Sequence, residues 1–176
     1  MSMQTWTTYA YGVMDDDITN ISMNAIWPAF YNTERSLNSG IDTEFEEFCE
    51  NEGVAPQTIR AYDDLDNPDV NEYLDQFITQ YYEEHCSRVC SSANALVLAA
   101  LVAKFIGVDF SHVITETNED GQVLVGIGLY YPWNTPDKLK NASQEDYEQA
   151  FINAYAILGI DGHDCAIEEQ SLENWG

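Results

Sequence analysis

The sequence predicts a single α+β domain, a three- to four-stranded antiparallel sheet packed against helices. Three observations carry that reading. Apolar residues recur at helical spacing up to about residue 106 and then switch to strand-like runs. Asn118-Glu119-Asp120-Gly121 is a hairpin signal between the two strongest strand candidates. No repeat, low-complexity tract or linker divides the 176 residues, so residues 1–176 read as one acidic domain.

Each element follows from local chemistry. Residues 5–13 are β-branched and aromatic and predict a first strand, which the acidic turn Asp15-Asp16-Asp17 ends. Ser22 is a candidate cap for a helix bearing Ile26, Trp27, Phe30 and Tyr31, with Pro28 tolerated only in its first two turns. Asn38-Ser39-Gly40 closes it. Asp42 or Thr43 then caps a short helix with Phe45, Phe48 and Cys49 as its stripe, and Gly53 stops it. Pro56 opens a short helix or turn through Tyr62, and Asp63 to Asp69 reads as an acidic loop closed by Pro68.

From Asp69 to about His85, Val70, Tyr73, Leu74, Phe77, Ile78 and Tyr81 have helical spacing. Residues Ser91 to Ile106 are apolar on most sides and predict the central helix, stopped by Gly107. Its longest apolar run, Ala95 to Ala103, is far short of the roughly 20 residues a bilayer requires. Strands are expected at Val113–Thr117 and Val123–Tyr130, the second ended by Pro132 and Pro136. Ser143 and Asp146 have capping-box spacing before a helix that puts Tyr147, Phe151, Tyr155 and Leu158 on one face, ended by Gly159. A short strand around Cys165 to Ile167 rejoins the sheet.

Charge is the most informative feature. Six basic residues face 31 acidic ones, a formal net charge of -25. Between Asp42 and Glu84 stand fourteen carboxylates opposed only by Arg60. Direct binding to nucleic acid or to an anionic membrane is excluded, since both need clustered Lys and Arg. Self-repulsion of this size works against the compact state, so stability does not account for it. Duplex DNA carries one charge per about 1.7 Å of axis, so 25 charges equal about 40 Å of duplex. A domain of this length is about 40 Å across, so its charge density can approach that of DNA.

Other chemistry finds less support. Cys49, Cys86, Cys90 and Cys165, in a chain whose first basic residue is Arg35 and which opens with no secretory signal, read as free thiols of a cytoplasmic protein. His85-Cys86, Cys90 and His163-x-Cys165 could ligate zinc but lack paired C-x2-C spacing. The aspartate runs miss the EF-hand pattern. No nucleophile elbow, phosphate loop or zinc-protease motif is present, and Gly126-Ile127-Gly128 lies inside a strand. No catalytic residue, cofactor or metal is therefore expected. Tyr130-Tyr131-Pro132-Trp133 is the best candidate for an exposed aromatic set.

Three stretches carry a resemblance: Tyr9-Ala10-Tyr11-Gly12-Val13 with Asp15-Asp16-Asp17-Ile18, then Tyr131-Pro132-Trp133, and the closing Gln170-Ser171-Leu172-Glu173-Asn174-Trp175. Together they resemble small acidic proteins of phages and mobile elements. In character the chain is similar to anti-CRISPR and antirestriction inhibitors that imitate DNA. That resemblance implies stoichiometric inhibition without turnover and assigns no residue.

The expected function is that of a non-enzymatic inhibitor acting in the bacterial cytoplasm on a basic nucleic-acid-binding protein. A nuclease of a bacterial defence system is the expected partner, with a CRISPR effector such as Cas9 as the first target. The expected contact residues are Asp15, Asp16, Asp17, Glu44, Glu46, Glu47, Glu50, Asp63, Asp64, Asp66 and Asp69. Two alternatives remain: an immunity or antitoxin protein neutralising a basic toxin enzyme by the same electrostatics, and a metal-dependent enzyme using the carboxylates or the Cys/His set.

Overall fold

The alternating segments become four strands, β1 (Thr5–Met14), β2 (Val113–Thr117), β3 (Val123–Gly128) and β4 (Glu168–Trp175). They form one antiparallel sheet in the order β2-β3-β1-β4, in a computed structural model that describes residues 4–55, 68–129 and 132–175. The helices are α1 (Asp16–Thr19), α2 (Met23–Leu37), α3 (Ile41–Glu52), α4 (Pro68–Cys86), α5 (Ala93–Ile106) and α6 (Gln144–Ile157). The α+β class follows, with the sheet packed against helices.

The sheet does not lie flat. β3 pairs with the second half of β1, Ala10↔Gly128 to Met14↔Leu124, whereas β4 pairs with Thr5 to Gly12. Yet the Thr8 hydroxyl donates to Glu116 at 2.7 Å, Asn118 Nδ2 to the Glu173 carbonyl at 2.9 Å, and the Trp175 amide to Glu119 at 3.1 Å. Thr8 and Trp175 lie far along the ribbon from the β2–β3 hairpin. These bonds therefore require the β1–β4 ribbon to curl back over the outer sheet face. The curl buries Ala10, Leu124 and Leu172 completely in a small second core with Met14 and Ile114.

Glycine makes the curl possible. A Cβ on Gly12 would lie 2.0 Å from the Val125 carbonyl oxygen, and one on Gly126 would lie 2.7 Å from the Ala10 Cβ.

The main core lies on the other face. α5 is its axis, with Ala93, Ala95–Ala99 and Leu101–Ala103 buried, as its all-round apolar sequence predicts. Ser92 caps it and Gly107, at φ 81°, ends it. Asn94 ties the preceding segment down, donating to the carbonyls of Ile18 at 3.0 Å and Ile21 at 2.9 Å. α2, α3 and α4 meet through aromatic rings: Trp27, Phe30, Phe45, Phe48, Phe77, Tyr81 and Tyr82 form a continuous cluster. Pro28 is the sixth residue of α2, within the tolerated first two turns.

Some boundaries differ from expectation, each for a physical reason. The N-cap of α3 is Gly40 rather than Asp42 or Thr43, because Ile41 is drawn fully into the core and the Asn38 side chain accepts from the Gly40 amide at 2.9 Å. Asp42 instead accepts the Tyr31 hydroxyl. α4 opens at Pro68, one residue before the expected start at Asp69, so Pro68 begins the helix instead of closing the acidic loop, proline being suited to a first turn. The last strand is Glu168–Trp175, not Cys165–Ile167; as an edge strand with Leu172 its one buried apolar side chain, it lacks the pattern that marks a strand. β3 ends at Gly128, and Tyr130 lies outside the described residues. The expected turn from Pro56 to Tyr62 also lies outside them.

The capping box at Ser143 and Asp146 forms as expected, with both reciprocal bonds present.

Candidate functional site: an acidic seam between two helices

The apolar stripe of α3 (Phe45, Phe48, Cys49) packs against α4, and the polar flanks of both helices are left along the join. Glu44, Glu47, Asn51 and Glu52 line one side of the resulting groove, and Gln80 and Glu84 the other. Phe48, Phe77 and Tyr81 also line this space, of about 260 Å³. Glu46, Glu47 and Glu50 are exposed on α3, with Glu83 and Glu84 exposed near the end of α4. Glu46 and Glu50 are one turn apart, a like-charge spacing that destabilises a helix.

The groove is anchored by a hydrogen-bonded chain. His85 Nε2 lies 2.9 Å from Glu44 Oε2, and the His85 ring packs on Tyr81 with centroids 4.3 Å apart. Asn38 Nδ2 donates to Glu44 at 3.3 Å and to the Tyr81 hydroxyl at 3.5 Å. Tyr81 and Tyr82 in turn donate to the buried Glu34 carboxylate at 3.2 and 2.9 Å. Burial, opposed by the Asn38 bond and aided by the Glu34 charge, pushes the Tyr81 hydroxyl up to about 12, so it remains a donor at neutral pH. Tyr82 is raised well above its ordinary value, first by burial and then by Glu34. Among the described residues, His85 is the one basic group ion-paired with the carboxylates of this groove.

The expected contact residues are distributed unevenly. Glu44, Glu46, Glu47 and Glu50 lie together on α3, with Glu44 and Glu47 in the groove itself. Asp69 is exposed in the first turn of α4. Asp63, Asp64 and Asp66 lie outside the described residues. Asp15 and Asp17 turn inward: Asp15 accepts from the Val123 amide at 3.1 Å, and Asp17 from the Ala166 amide at 3.1 Å. Asp15 has a positive φ of 51° with ψ -111°, outside the αL basin and a strained conformation for a residue with a side chain. Asp16 is exposed. All three belong to the α1 turn, which packs on α5, β1 and β3.

Glu52, Gln80 and Glu84 join the groove without having been singled out from sequence. Gln80 and Glu84, one helical turn apart beside the Phe77–Tyr81 stripe, were the available signal.

The cysteine and histidine positions are separate. His163 pairs with Asp161 at 2.9 Å, Cys90 lies 3.9 Å from the Thr117 hydroxyl, and His85 is held by Glu44. Among the described residues no group of three or more His, Cys, Asp or Glu side chains could hold a metal ion. Among them, too, no helix is long and apolar enough to cross a membrane. No family model, curated protein or solved structure matches the chain.

Proposed function

We propose that the protein is a non-enzymatic inhibitor whose α3–α4 face competes with nucleic acid for the basic channel of a bacterial defence nuclease. The observation that carries this reading is the seam itself. Glu44, Glu47, Glu52 and Glu84 converge on one groove, flanked by Glu46, Glu50 and Glu83, and His85 pairs with Glu44 at its edge. Carboxylates gathered at a cost in repulsion fit a surface that meets Lys and Arg arranged for phosphate. Such charge-assisted bonds are the strong ones, and long-range attraction speeds encounter. The resemblance to DNA-imitating inhibitors points the same way.

The test is DNA cleavage by a Cas9-type effector with the wild-type protein and the variant Glu46→Gln/Glu47→Gln/Glu50→Gln. The variant is expected to need at least tenfold more protein for half inhibition, and wild-type potency should fall steeply between 50 and 200 mM salt, on the order of the range over which phosphate contacts weaken. Salt should meanwhile raise the melting temperature of the free protein by screening self-repulsion. Equal potency of the triple variant, or inhibition indifferent to duplex DNA as competitor, would reject the proposal.

A further inference from the structure

A second cavity, of about 340 Å³, lies between α2, α4 and α5, away from the acidic groove. Leu37, Ala100, Ala103, Val108 and the rings of Tyr82 and Phe110 line it, and Glu34 and Asp109 are its carboxylates. Glu34 is 7% exposed. Its two oxygens accept one tyrosine hydroxyl each, which leaves acceptor capacity on both. Among the described residues no Lys, Arg or His nitrogen lies within ion-pair distance of it. Lys104, on the cavity wall, does not reach it.

A buried charge without a counter-ion is costly and calls for an explanation. Burial raises the Cys86 thiol most, and the Glu34 and Asp109 carboxylates raise it further while Arg88 opposes them. Beside the cavity, not lining it, the Arg88 guanidinium lies 4.8 Å over the Phe110 ring and donates to the Phe110 carbonyl at 2.8 Å, while Phe110 stacks on Tyr82 within the lining.

We propose that this cavity is a binding site for an alkylguanidinium group, the chemistry of an arginine side chain. Its planar fork meets the two free acceptor positions of Glu34, and its methylene stem lies along Leu37, Ala100 and Val108. A point-charge ammonium would use the same carboxylate with less geometric fit.

The probe is ethylguanidinium, titrated into the full chain at physiological salt and followed by amide chemical shifts. Ethylurea, of similar shape and uncharged, and ethylammonium serve as comparisons. Saturable shifts at Leu37, Tyr82, Cys86, Ala100 and Phe110 are expected with ethylguanidinium, at least tenfold weaker with ethylammonium and absent with ethylurea. Glu34→Gln should abolish them while retaining the far-ultraviolet circular dichroism of the wild type. Should that variant fail to fold, Ala100→Leu fills the cavity with Glu34 intact and should abolish them equally. Shifts confined to the exposed carboxylates of α3 and α4, or pocket shifts that survive in either folded variant or appear equally with ethylurea, would overturn the proposal. Because the probe is a free cation, the outcome is independent of whether the acidic seam binds a nuclease.

Discussion

Replacing Gly12 by alanine tests the curled sheet most directly. The added Cβ would stand 2.0 Å from the Val125 carbonyl oxygen, 2.6 Å from the Gly126 Cα and 2.9 Å from the Val125 carbonyl carbon, all of them backbone. No rotamer change relieves such a clash, so β1 and β3 must separate by about 1 Å or more at the Gly12↔Gly126 pair. Two weakened ladder bonds at about 1 kcal/mol each, with about 2 kcal/mol of repacking, outweigh the gain of about 0.4–1 kcal/mol from stiffening the unfolded chain. The net is about 3 kcal/mol. Unfolding entropy of about 2.1 cal/mol/K per residue gives about 0.37 kcal/mol/K for 176 residues, so the melting temperature should fall by about 8 °C. Gly53→Ala is the control: φ is 69° but nothing lies within 4 Å, so only backbone strain of about 1–2 kcal/mol applies. Thermal unfolding followed by circular dichroism and calorimetry reads both. A Gly12→Ala protein melting within 2 °C of wild type would refute the close approach and the curl built on it.

Two further outcomes follow from the same packing. Asn94→Ala strips the side-chain donor from the carbonyls of Ile18 and Ile21 and should cost about 2 kcal/mol, read as a lower urea midpoint with unchanged slope. Stability should also decline from pH 10 to about 12. The unfolded chain releases tyrosine protons near 10 while folded Tyr81 holds its own to about 12, so the native state binds more protons and each rise in pH favours unfolding. Urea midpoints across that range check it, and Tyr81→Phe should make the decline shallower while Tyr82 and Tyr155, raised by burial in the same direction, keep the remainder.

The sequence made the helices legible because their apolar stripes, caps and glycine stops agree with one another. Ser22 and Ser143 each accept the expected backbone amide, and Ser92, not singled out from sequence, caps α5 in the same way. It concealed β4, whose pairing is written in the partner strand rather than in its own alternation. The curl was equally hidden, since Gly12 and Gly126 read only as strand glycines until the approach of Val125 and Ala10 gives them a reason. Half of the acidic groove was legible as the exposed side of an amphipathic α3. The other half required knowing that α4 presents Gln80 and Glu84 along the same join. Glu34, spaced like any polar residue of α2, gave no sign of its burial against Tyr81 and Tyr82.

Counting carboxylates overstates what a partner meets, and side-chain length explains much of the discrepancy. Aspartate's short arm reaches nearby backbone amides: Asp15 accepts from Val123, Asp17 from Ala166, Asp109 from Ser111, Asp146 from Ser143 and Asp161 from His163. Those bonds are the leading local cause holding Asp109 and Asp146 below the ordinary carboxylate range, while at Asp161 the His163 side chain contributes most. An aspartate so engaged terminates an element or pins a loop and has fewer lone pairs to offer. Glutamates at Glu47, Glu50, Glu83 and Glu84 stand on helical turns with their carboxylates extended from the backbone. Exposed glutamates therefore include two sets, Glu46, Glu47, Glu50, Glu83 and Glu84 on α3 and α4, and Glu145, Glu148, Glu168, Glu169 and Glu173 on α6 and β4, and the first set stands beside the groove. On the function proposed above, the grooved α3–α4 set is what a basic channel would meet, and neutralising the α6–β4 glutamates instead should leave inhibition unchanged.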